Sequence, residues 1–530
     1  MAERDTRRHE VGAVGLLVAV VFIAAYFARA FLAPGDQPWL AYVTDDFYYY
    51  AIIADRMAGG VFSSFDGLIR TNGYHPLWLA VVTVLRLVCG GTGTAFFVML
   101  FATLAALATT ATWQAHILLR KLNAPPGVAA FATILFAIGA AAIARTGMEV
   151  ALALPLALVF IAELERVSRG GELRPCRLGL LASAAILARL DTAILVGLSG
   201  VAALPRVMVR RTTWPVLAGV GIGLMPVACY IITNLVLFRT ILPISATAKA
   251  LAPAPIFNIG AIGEIYWPPG GLLQRVVFQL PAWAALVAAC VGLWQWPRQS
   301  TSQHLATAIC AFPLVFYLLL AVRSDWVLWF WYLYPVVLAG PFAFARLLNL
   351  FGTLHPAAWA AMGAAVAAAA IVVEYGNDIV DGHYVLGAAR ALRPFVAMHP
   401  GRYAMGDRAG LTSFITGQPI LQLEGIVGDV ALLRHIRASD DLMKVLQSHQ
   451  INYYIGTGMA DDGNGCRLAA EPKAAQAGPQ SPAMTAKFCG RPLYRQADDG
   501  AGLETVIFPV LQGNTGLPPG ARAANAAEPE

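Results

Sequence analysis

The chain has 530 residues, of which 58% are hydrophobic and 13% are charged, whereas roughly 25% are charged in an ordinary soluble protein. This composition leaves too little polar surface to cover a water-soluble globule. The formal net charge of +6 is spread over many loops and forms no basic stripe, so we expect no nucleic-acid partner. The composition predicts a polytopic membrane protein.

Apolar stretches of about 20 residues predict eleven membrane-spanning helices. They lie near 12–33, 95–119, 126–144, 148–166, 177–190, 192–205, 213–238, 276–297, 304–322, 326–347 and 356–374. The first stretch follows three arginines, as a signal peptide does, but its length favours an uncleaved anchor.

The lysines and arginines of the short loops predict the orientation. With a cytoplasmic N-terminus and residues 34–94 outside, the basic residues collect on the cytoplasmic side. They are Arg120, Lys121, Arg166, Arg169, Arg174, Arg177, Arg206, Arg210, Arg211, Arg298 and Arg346. The assignment requires that 76–89, a short apolar segment, lies along the membrane surface. We therefore expect a multi-pass protein of the bacterial cytoplasmic (inner) membrane with an extracytoplasmic C-terminal domain.

The composition changes after residue 375, where charges and turns return. We predict a transmembrane domain over 1–375, a small extracytoplasmic α/β domain over 376–511 and a disordered tail over 512–530. In the second domain the pattern predicts four strands, two helices and one long loop. The strands are 402–406, 419–423, 451–455 and 504–510, the helices 409–416 and 439–449, and the loop 460–487.

Two of the seven cysteines, Cys466 and Cys489, fall in the predicted outer domain. An oxidising compartment would allow them to form a disulfide. The other five lie in or beside apolar helices, where cysteine is usually a small buried hydrophobe.

Several ionisable residues interrupt apolar sequence at the predicted outer boundary of the membrane. They are Asp45, Asp46, His75, Arg145, Glu149, Arg189, Asp191, Lys249, Arg323 and Asp325. Charges at this depth are costly, so they normally line a cavity or pair with one another. Each is also explained by a loop charge or a helix-end ion pair. Their convergence from separate segments favours one hydrated cleft.

Asp45 and Asp46 begin a segment in which Asp46, Tyr50, Ile53 and Met57 share one face of a helix. One of the two acids is explained as a cap of the helix N-terminus, where a carboxylate is favourable. The other is then available to accept a proton from a hydroxyl group.

The segment 71–78 combines a turn at Asn72-Gly73 with a helix that starts at Pro76. This pattern places Tyr74 and His75 at a helix entrance. A lone histidine is more often structural than catalytic.

These residues resemble motifs of the GT-C superfamily of membrane glycosyltransferases. The likeness rests on Asp45 to Tyr50, Thr71 to Trp78, Thr146 to Glu149 and Leu187 to Asp191, and it extends through Pro243 to Lys249, Trp331 to Pro335, Gly406 to Gly410 and Leu423 to Val427. The chain is most similar to the dolichyl-phosphate mannosyltransferase, aminoarabinose transferase and arabinofuranosyltransferase group.

The resemblance implies an enzyme that moves a sugar from a polyprenyl-phosphate carrier to an acceptor hydroxyl at the outer membrane face, with inversion. In such enzymes an aspartate of the first outer loop is the proposed general base, a role that falls here to Asp46 or Asp45. It also implies two surface helices in that loop. The acceptor class stays open among envelope glycan, lipid and protein.

Displacement at an anomeric carbon needs positive charge on the departing phosphate. Arg189, Lys249 and Arg323 are the candidates, with Glu149 and Asp191 orienting them or holding sugar hydroxyls. We expect no obligatory metal, although Asp45 and Asp46 would also suit a divalent cation. His75 and Tyr74 complete the predicted substrate-binding set.

Aromatic residues crowd the entrance of one predicted helix and suit either a groove for the prenyl tail or an interfacial belt. They are Trp326, Trp329, Phe330, Trp331, Tyr332 and Tyr334. In the outer domain, Asp407 and Glu424 are candidates for acceptor contacts or for strand-end and turn roles.

Two other classes of function were weighed. A multi-span transporter or flippase would also carry charges within a helical bundle, but no internal repeat is evident and the charges cluster at one face. For a binding or scaffold protein, eleven spans are excessive as an anchor.

Overall fold

The computed structural model describes residues 2–208, 213–252, 258–267, 271–348, 355–376, 380–497 and 503–510. The predicted disordered tail, 512–530, lies outside the described residues.

The first three quarters of the chain form a helical bundle, and a helix is present at each of the eleven predicted positions. The helices are α1 (Ala2–Leu32), α2 (Asp45–Ala58), α3 (Pro76–Val88), α4 (Thr94–Lys121), α5 (Pro126–Ala144), α6 (Val150–Ser168), α7 (Pro175–Ala188), α8 (Thr192–Met208), α9 (Thr213–Gly223), α10 (Met225–Phe238), α11 (Ile244–Ala248), α12 (Ile259–Tyr266), α13 (Leu272–Gln274), α14 (Leu280–Trp294), α15 (Thr301–Arg323), α16 (Tyr334–Leu348) and α17 (Pro356–Gly376).

Helix α5 lies at the centre of the bundle. Its sequence is rich in alanine and glycine, and nearly all of its side chains are buried. The neighbouring helices α1, α4, α16 and α17 pack against it on all sides. Small residues allow helix backbones to approach closely, which is how membrane helices associate where lipid supplies no hydrophobic drive.

Seven helices of the described part of the chain are long and apolar enough to cross a membrane, or eight if the bent pair α9 and α10 forms one span. The axes of that pair differ by 53°. Helices α7 and α8 are apolar but shorter, and α6 carries Glu163, Glu165 and Arg166 in its last turns. The polytopic architecture is confirmed, and the number of eleven spans stays a prediction.

The first outer loop contains two helices, α2 and α3, which pack against each other. Helix α3 corresponds to the predicted surface segment 76–89 and has 13 residues. At about 1.5 Å per residue it is too short to cross roughly 30 Å of hydrocarbon. This length agrees with a position along the membrane surface.

The outer domain has a mixed α/β fold. Its elements are α18 (Val380–Met398), β1 (Tyr403–Met405), α19 (Ala409–Thr416), β2 (Ile420–Gln422), α20 (Val430–Ala438), α21 (Leu442–Ser448), β3 (Tyr453–Thr457), β4 (Ala460–Asp461), β5 (Cys466–Glu471), α22 (Ala474–Ala477), β6 (Met484–Cys489), β7 (Tyr494–Gln496) and β8 (Thr505–Pro509). The four predicted strands and both predicted helices are present. Helices α18 and α20 were not predicted.

The main sheet has the strand order β2-β1-β3-β8-β7. Strand β1 pairs in parallel with β2 and β3, and β8 pairs antiparallel with β3 and β7. Tyr453 and Ile455 face the core shared with the bundle, and Tyr454 between them faces a second core with α20 and α21. Both faces of β3 are therefore covered, which explains its continuous apolar sequence.

The prediction of a loop over 460–487 is wrong. Strands β4, β5 and β6 form a second antiparallel sheet there, and the predicted disulfide between Cys466 and Cys489 joins β5 to β6. Alanine, lysine and threonine in these strands gave little local signal, because strand formation depends on cross-strand partners as well as on propensity.

Candidate active site

A cavity of about 340 Å³ lies where the first outer loop, the ends of several bundle helices and the outer domain meet. Every residue of the predicted catalytic and substrate-binding set except Asp45 lines it. These residues are Asp46, Tyr74, His75, Glu149, Arg189, Asp191, Lys249 and Arg323. Residues from separate segments of the sequence therefore meet in one cavity, as predicted. Their proximity does not by itself assign a chemical role to any of them. Arg145 and Asp325, which were expected at the same cleft, do not line this cavity. Asp325 instead accepts a hydrogen bond from the backbone N–H of Gln480 at 2.8 Å.

Asp45 and Asp46 are the first two residues of α2, and neither caps it. The N-cap is Thr44, whose backbone N–H and side-chain hydroxyl both donate to the Thr146 carbonyl oxygen, at 3.1 and 3.0 Å. The expectation that one aspartate caps the helix is therefore wrong. Thr44 is used to hold the loop to the bundle, and both carboxylates lie in the first turn, where the helix dipole still favours negative charge.

Asp45 connects α2 to the outer domain. Its carboxylate accepts hydrogen bonds from the backbone N–H groups of Gly410, at 3.2 Å, and Leu411, at 2.6 Å, at the start of α19. Burial raises the pKa of Asp45 to about 7, even though the Leu411 amide favours the charged form. Asp45 is thus committed to a contact between two parts of the molecule.

Asp46 faces open space. It lines the cavity, and within the described part of the chain its carboxylate accepts no hydrogen bond. Burial raises its pKa to about 6, and the positive charge of Lys249 partly offsets this effect. A carboxylate in this state is mostly ionised at neutral pH and free to accept a proton.

Glu149 and Arg189 form the centre of a buried network. Arg189 donates from Nη1 to Glu149 and from Nε to both Asp191 oxygens, at 2.9 and 3.0 Å. Glu149 also accepts from the Tyr50 hydroxyl at 3.0 Å, and Asp191 accepts from the Tyr334 hydroxyl at 2.6 Å. Since Arg189 already has two carboxylate partners, its main effect is to fix both acids in place.

His75 is attached to the same network. The backbone N–H of Leu190 donates to His75 Nδ1 at 3.3 Å, and His75 Nε2 lies 3.5 Å from Glu149 Oε1. An acceptor at Nδ1 leaves the proton of the neutral ring on Nε2, facing the carboxylate. Burial lowers the pKa of His75, so the ring is neutral at pH 7.

Lys249 and Arg323 are the cations whose charge is available to a ligand. Neither forms an ion pair with any residue that the structure describes, although both line the cavity. Lys249 bonds the Tyr332 hydroxyl at 3.1 Å and lies 5.6 Å from the Trp326 ring centre. Burial acts to lower the pKa of Lys249, but Tyr332 and Asp46 outweigh it and the pKa is raised.

The Thr-Asn-Gly-Tyr-His segment fixes one wall of the cavity. The Asn72 side chain accepts from the Ile244 N–H at 3.0 Å and donates to the Leu242 carbonyl at 3.5 Å. A Cβ at Gly73 would overlap the Ile426 carbonyl oxygen of the outer domain. Tyr74 shares a hydrogen bond of 2.5 Å with Ser63. The motif therefore holds three segments together.

A second cavity, of about 780 Å³, lies on the other side of Asp46. The two cavities share Asp46, Tyr49, Trp326, Trp331 and Ile426. Its other walls include both outer-domain candidates of the sequence analysis. They are formed by Asp45, Arg145, Glu374, Asp407, Arg408, Glu424 and Gln476, together with Trp329.

Part of the aromatic cluster belongs to the site. Trp326, Trp331 and Tyr332 line the first cavity, and Tyr332 and Tyr334 place their rings 5.1 and 4.7 Å from the Arg189 guanidinium. The Trp-Tyr-Leu-Tyr signal was visible in the sequence, but the contacts of its tyrosines with site residues were not.

Three further site residues were missed. Glu374, at the end of α17, bonds Arg145 at 3.2 Å, and Gln476 falls in the segment that was predicted to be a loop. Arg408 is the N-cap residue of α19, and its Nε lies 3.7 Å from the Asp407 carboxylate. Of these three residues, Glu374 could have been found from the sequence, because it is an acidic residue at the end of an apolar helix.

Metal ligands were also sought in this region. Within the described ranges, no group of three or more His, Cys, Asp or Glu side chains is arranged to hold a metal ion.

The whole chain was compared with known proteins. Comparisons with protein-family models and with curated protein sequences found no match. Among solved structures, the chain is similar to ArnT from Cupriavidus metallidurans in the apo state, with 14% identity over 83% of this chain and 92% of ArnT and a TM-score of 0.52.

Two other solved structures are similar. One is the same ArnT bound to undecaprenyl phosphate, with 12% identity, coverage of 94% and 98% and a TM-score of 0.51. The other is the oligosaccharyltransferase AglB from Archaeoglobus fulgidus, with 11% identity, coverage of 85% and 69% and a TM-score of 0.48. The likeness to ArnT shows that the chain shares the fold of that protein.

Proposed function

We propose that this protein is a membrane glycosyltransferase that moves a sugar from a polyprenyl-phosphate donor to an acceptor hydroxyl, with inversion. One observation carries the proposal: the unbonded carboxylate of Asp46 faces a cavity that also contains Lys249 and Arg323, two cations without carboxylate partners among the described residues. Glycosyl transfer requires a base for the acceptor hydroxyl and positive charge for the departing phosphate within the same cavity. The solved ArnT with the same fold holds undecaprenyl phosphate.

In the proposed reaction, the acceptor oxygen attacks the anomeric carbon while Asp46 takes the hydroxyl proton. The bond between the anomeric carbon and the phosphate oxygen breaks, and its electron pair leaves with the phosphate. Lys249 and Arg323 stabilise that charge, and they do so strongly because the cavity is partly closed to water. A single displacement inverts the anomeric centre.

The remaining residues position the substrates. Glu149 and Asp191, fixed by Arg189, present carboxylate oxygens to the sugar hydroxyls. His75 offers an Nε2 proton in the same region. Asp45 holds α19 against the loop and thereby keeps Asp46 at the boundary of both cavities.

We also propose that the site faces the outside of the cytoplasmic membrane. The basic residues Arg166 and Arg169 lie at the end of α6, whereas Glu149 lies at its start, so the basic loops and the site occupy opposite ends of the bundle. The disulfide of the outer domain agrees with an oxidising compartment on the side of the site.

The test supplies purified protein in nanodiscs with radiolabelled polyprenyl-phosphate sugars and follows release and transfer of the sugar. Asp46→Asn should lower turnover by about 10²- to 10⁴-fold, the usual contribution of a general base. Asp55→Asn is the matched control, because Asp55 lies on the same helix outside both cavities and pairs with Arg86. Equal activity of Asp46→Asn and the control would refute the assignment.

The same assay tests the metal requirement. We propose that charge on the phosphate is neutralised by Lys249 and Arg323, so turnover should persist in EDTA. Loss of turnover that Mg²⁺ or Mn²⁺ restores would instead assign a metal to the acids of the site.

A further inference from the structure

The second cavity is rich in carboxylates without a basic partner. Of its acids, Glu374 pairs with Arg145 at 3.2 Å and with Arg29 at 3.3 Å. Asp407 lies 3.7 Å from Arg408 and 4.0 Å from Lys473. Asp45, Asp46 and Glu424 have no ion pair with any residue in the described ranges. Of these three, Asp46 is mostly ionised at neutral pH, because its pKa is raised only to about 6. An anionic ligand in this space would therefore face a like charge, which is unfavourable.

Only one of the two carboxyl oxygens of Glu424 has a hydrogen-bond partner in the described structure. Its side chain is 4% exposed, and Oε2 accepts from Gln422 Nε2 at 2.9 Å. Oε1 has no hydrogen-bond partner in the described structure, although it is buried. Burial raises the pKa of Glu424 well above its ordinary value, and the nearby Asp407 adds to this effect. A raised pKa favours the neutral carboxylic acid, which donates as well as accepts hydrogen bonds. A buried polar oxygen without a partner is costly and therefore indicates a ligand or ordered water.

Other buried polar atoms around the same cavity also lack partners in the described structure. Gln476 Oε1 is a hydrogen-bond acceptor, and Arg145 Nε and Trp326 Nε1 are hydrogen-bond donors. The Tyr42 hydroxyl can act as either. Unsatisfied donors and acceptors thus share one cavity. An ammonium group only donates and a phosphate mainly accepts, whereas a hydroxyl does both.

The size and the aromatic wall of the cavity agree with a sugar. Its volume of about 780 Å³ lies within the roughly 300–1,000 Å³ of small-molecule sites. Trp329 and Trp331 stack with ring centres 5.8 Å apart and planes 10° apart, and both line the cavity. A flat aromatic surface beside hydrogen-bonding groups suits a ring with an apolar face and a polar edge.

We infer that the second cavity binds the acceptor, and that the acceptor presents the uncharged, hydroxyl-rich end of a saccharide and not a phosphorylated group. The inference rests on the proposed function, because it names the acceptor class for that reaction. Asp46, shared by both cavities, then receives the proton from a saccharide hydroxyl, and the second cavity selects against anionic acceptors.

The test measures saccharide binding without catalysis. Protein in nanodiscs is mixed with neutral trisaccharides of glucose, mannose or galactose, or with their phosphate monoesters, and binding is followed by saturation-transfer NMR. We expect at least one neutral trisaccharide to bind about tenfold more tightly than its phosphate ester, because like charges in contact repel. Equal or tighter binding of the esters would overturn the inference.

Two variants and a control connect the result to the cavity. Glu424→Leu removes the buried oxygen that lacks a partner and should weaken binding of the neutral trisaccharide several-fold, and Trp329→Ala should weaken binding of both saccharides. Glu471→Leu is the matched control, since Glu471 is another buried acid of the outer domain that does not line the cavity. Unchanged binding of the neutral trisaccharide in Glu424→Leu, or equal weakening in the control, would contradict the assignment.

Binding of undecaprenyl phosphate, measured on the same samples by native mass spectrometry, separates the two proposals. If the lipid binds and no trisaccharide does, the acceptor inference fails and the donor assignment stands. If trisaccharides bind with the expected preference and the lipid does not, the proposed donor fails and the saccharide site remains.

Discussion

Asp45 and Asp46 are adjacent in sequence but have different environments. Two backbone amides of α19 bind Asp45, whereas Asp46 faces two cavities without a hydrogen bond from any described residue. Identical side chains therefore acquire different tasks from their surroundings, a common outcome for paired carboxylates. The environment favours Asp46 as the base and Asp45 as a positioning residue.

The ionisation of Asp46 predicts the acid limb of the pH profile. Only the ionised carboxylate accepts a proton, and its pKa is raised to about 6. In the free enzyme, kcat/KM should therefore be constant above this pH and fall by about tenfold for each unit below it. A profile measured from pH 4.5 to 8 tests this expectation. An acid limb centred near 4, or one that persists in Asp46→Asn, would point to another group.

Lys249 and Arg323 should act mainly on the donor phosphate. Lys249→Gln removes a cation that stabilises the leaving group, so kcat should fall by about 10²- to 10³-fold, as on loss of one transition-state donor. Arg323→Gln, at the more exposed rim, should mainly raise the KM for the donor. The initial rate against donor concentration separates the two effects. Lys444→Gln in α21 serves as a control, and normal kinetics in both site variants would remove them from the phosphate site.

At the level of elements, α19 and the segment around Gly73 join the outer domain to the first loop. Asp45 bonds the start of α19, and a Cβ at Gly410 would overlap the Asp45 carbonyl oxygen. At the other end of the loop, Gly73 lies against the Ile426 carbonyl oxygen. Glycine is needed at both points because the backbones touch.

Asp45→Ala should loosen this junction. The variant loses an acceptor for two amides at a helix N-terminus, a change that costs about 1–2 kcal/mol. We expect faster hydrogen exchange of 409–412 and a lower kcat, with Asp46 unaltered. Asp45→Asn keeps one acceptor oxygen and should lie between the alanine variant and the native protein. Unchanged exchange in Asp45→Ala would show that the contact does not hold the domain.

At the level of the whole molecule, the orientation is open to a direct test. In a variant with the five free cysteines replaced by alanine, Lys444→Cys marks the outer domain and Arg174→Cys marks a basic loop. A membrane-impermeant maleimide added to intact cells should label the first and not the second, and both after permeabilisation. The reverse pattern would place the site in the cytoplasm.

Sequence patterns predicted the features that depend on local chemistry. Long apolar runs identified the helices, and Asp46, Lys249 and Arg323 were found because charges are rare beside hydrocarbon. Glu149 and Asp191 were predicted to orient the cations or to hold sugar hydroxyls. The sequence did not show that both acids pair with Arg189, since three side chains from two helix ends must meet in space. The sheet of β4 to β6 was missed for a related reason. Its alanine-rich strands are held by partners and a disulfide that are distant in sequence.

The apolar rim of the first cavity has a consequence for how the reaction is measured. Leu242 and Val327 line that cavity and are themselves exposed. They lie in the segments that connect α10 to α11 and α15 to α16. A donor whose headgroup lies beside Lys249 then keeps its hydrocarbon tail among the surrounding lipids and arrives by lateral diffusion in two dimensions. Its effective concentration is accordingly a surface density, so rates should scale with the mole fraction of donor in the bilayer and not with its amount per volume of buffer.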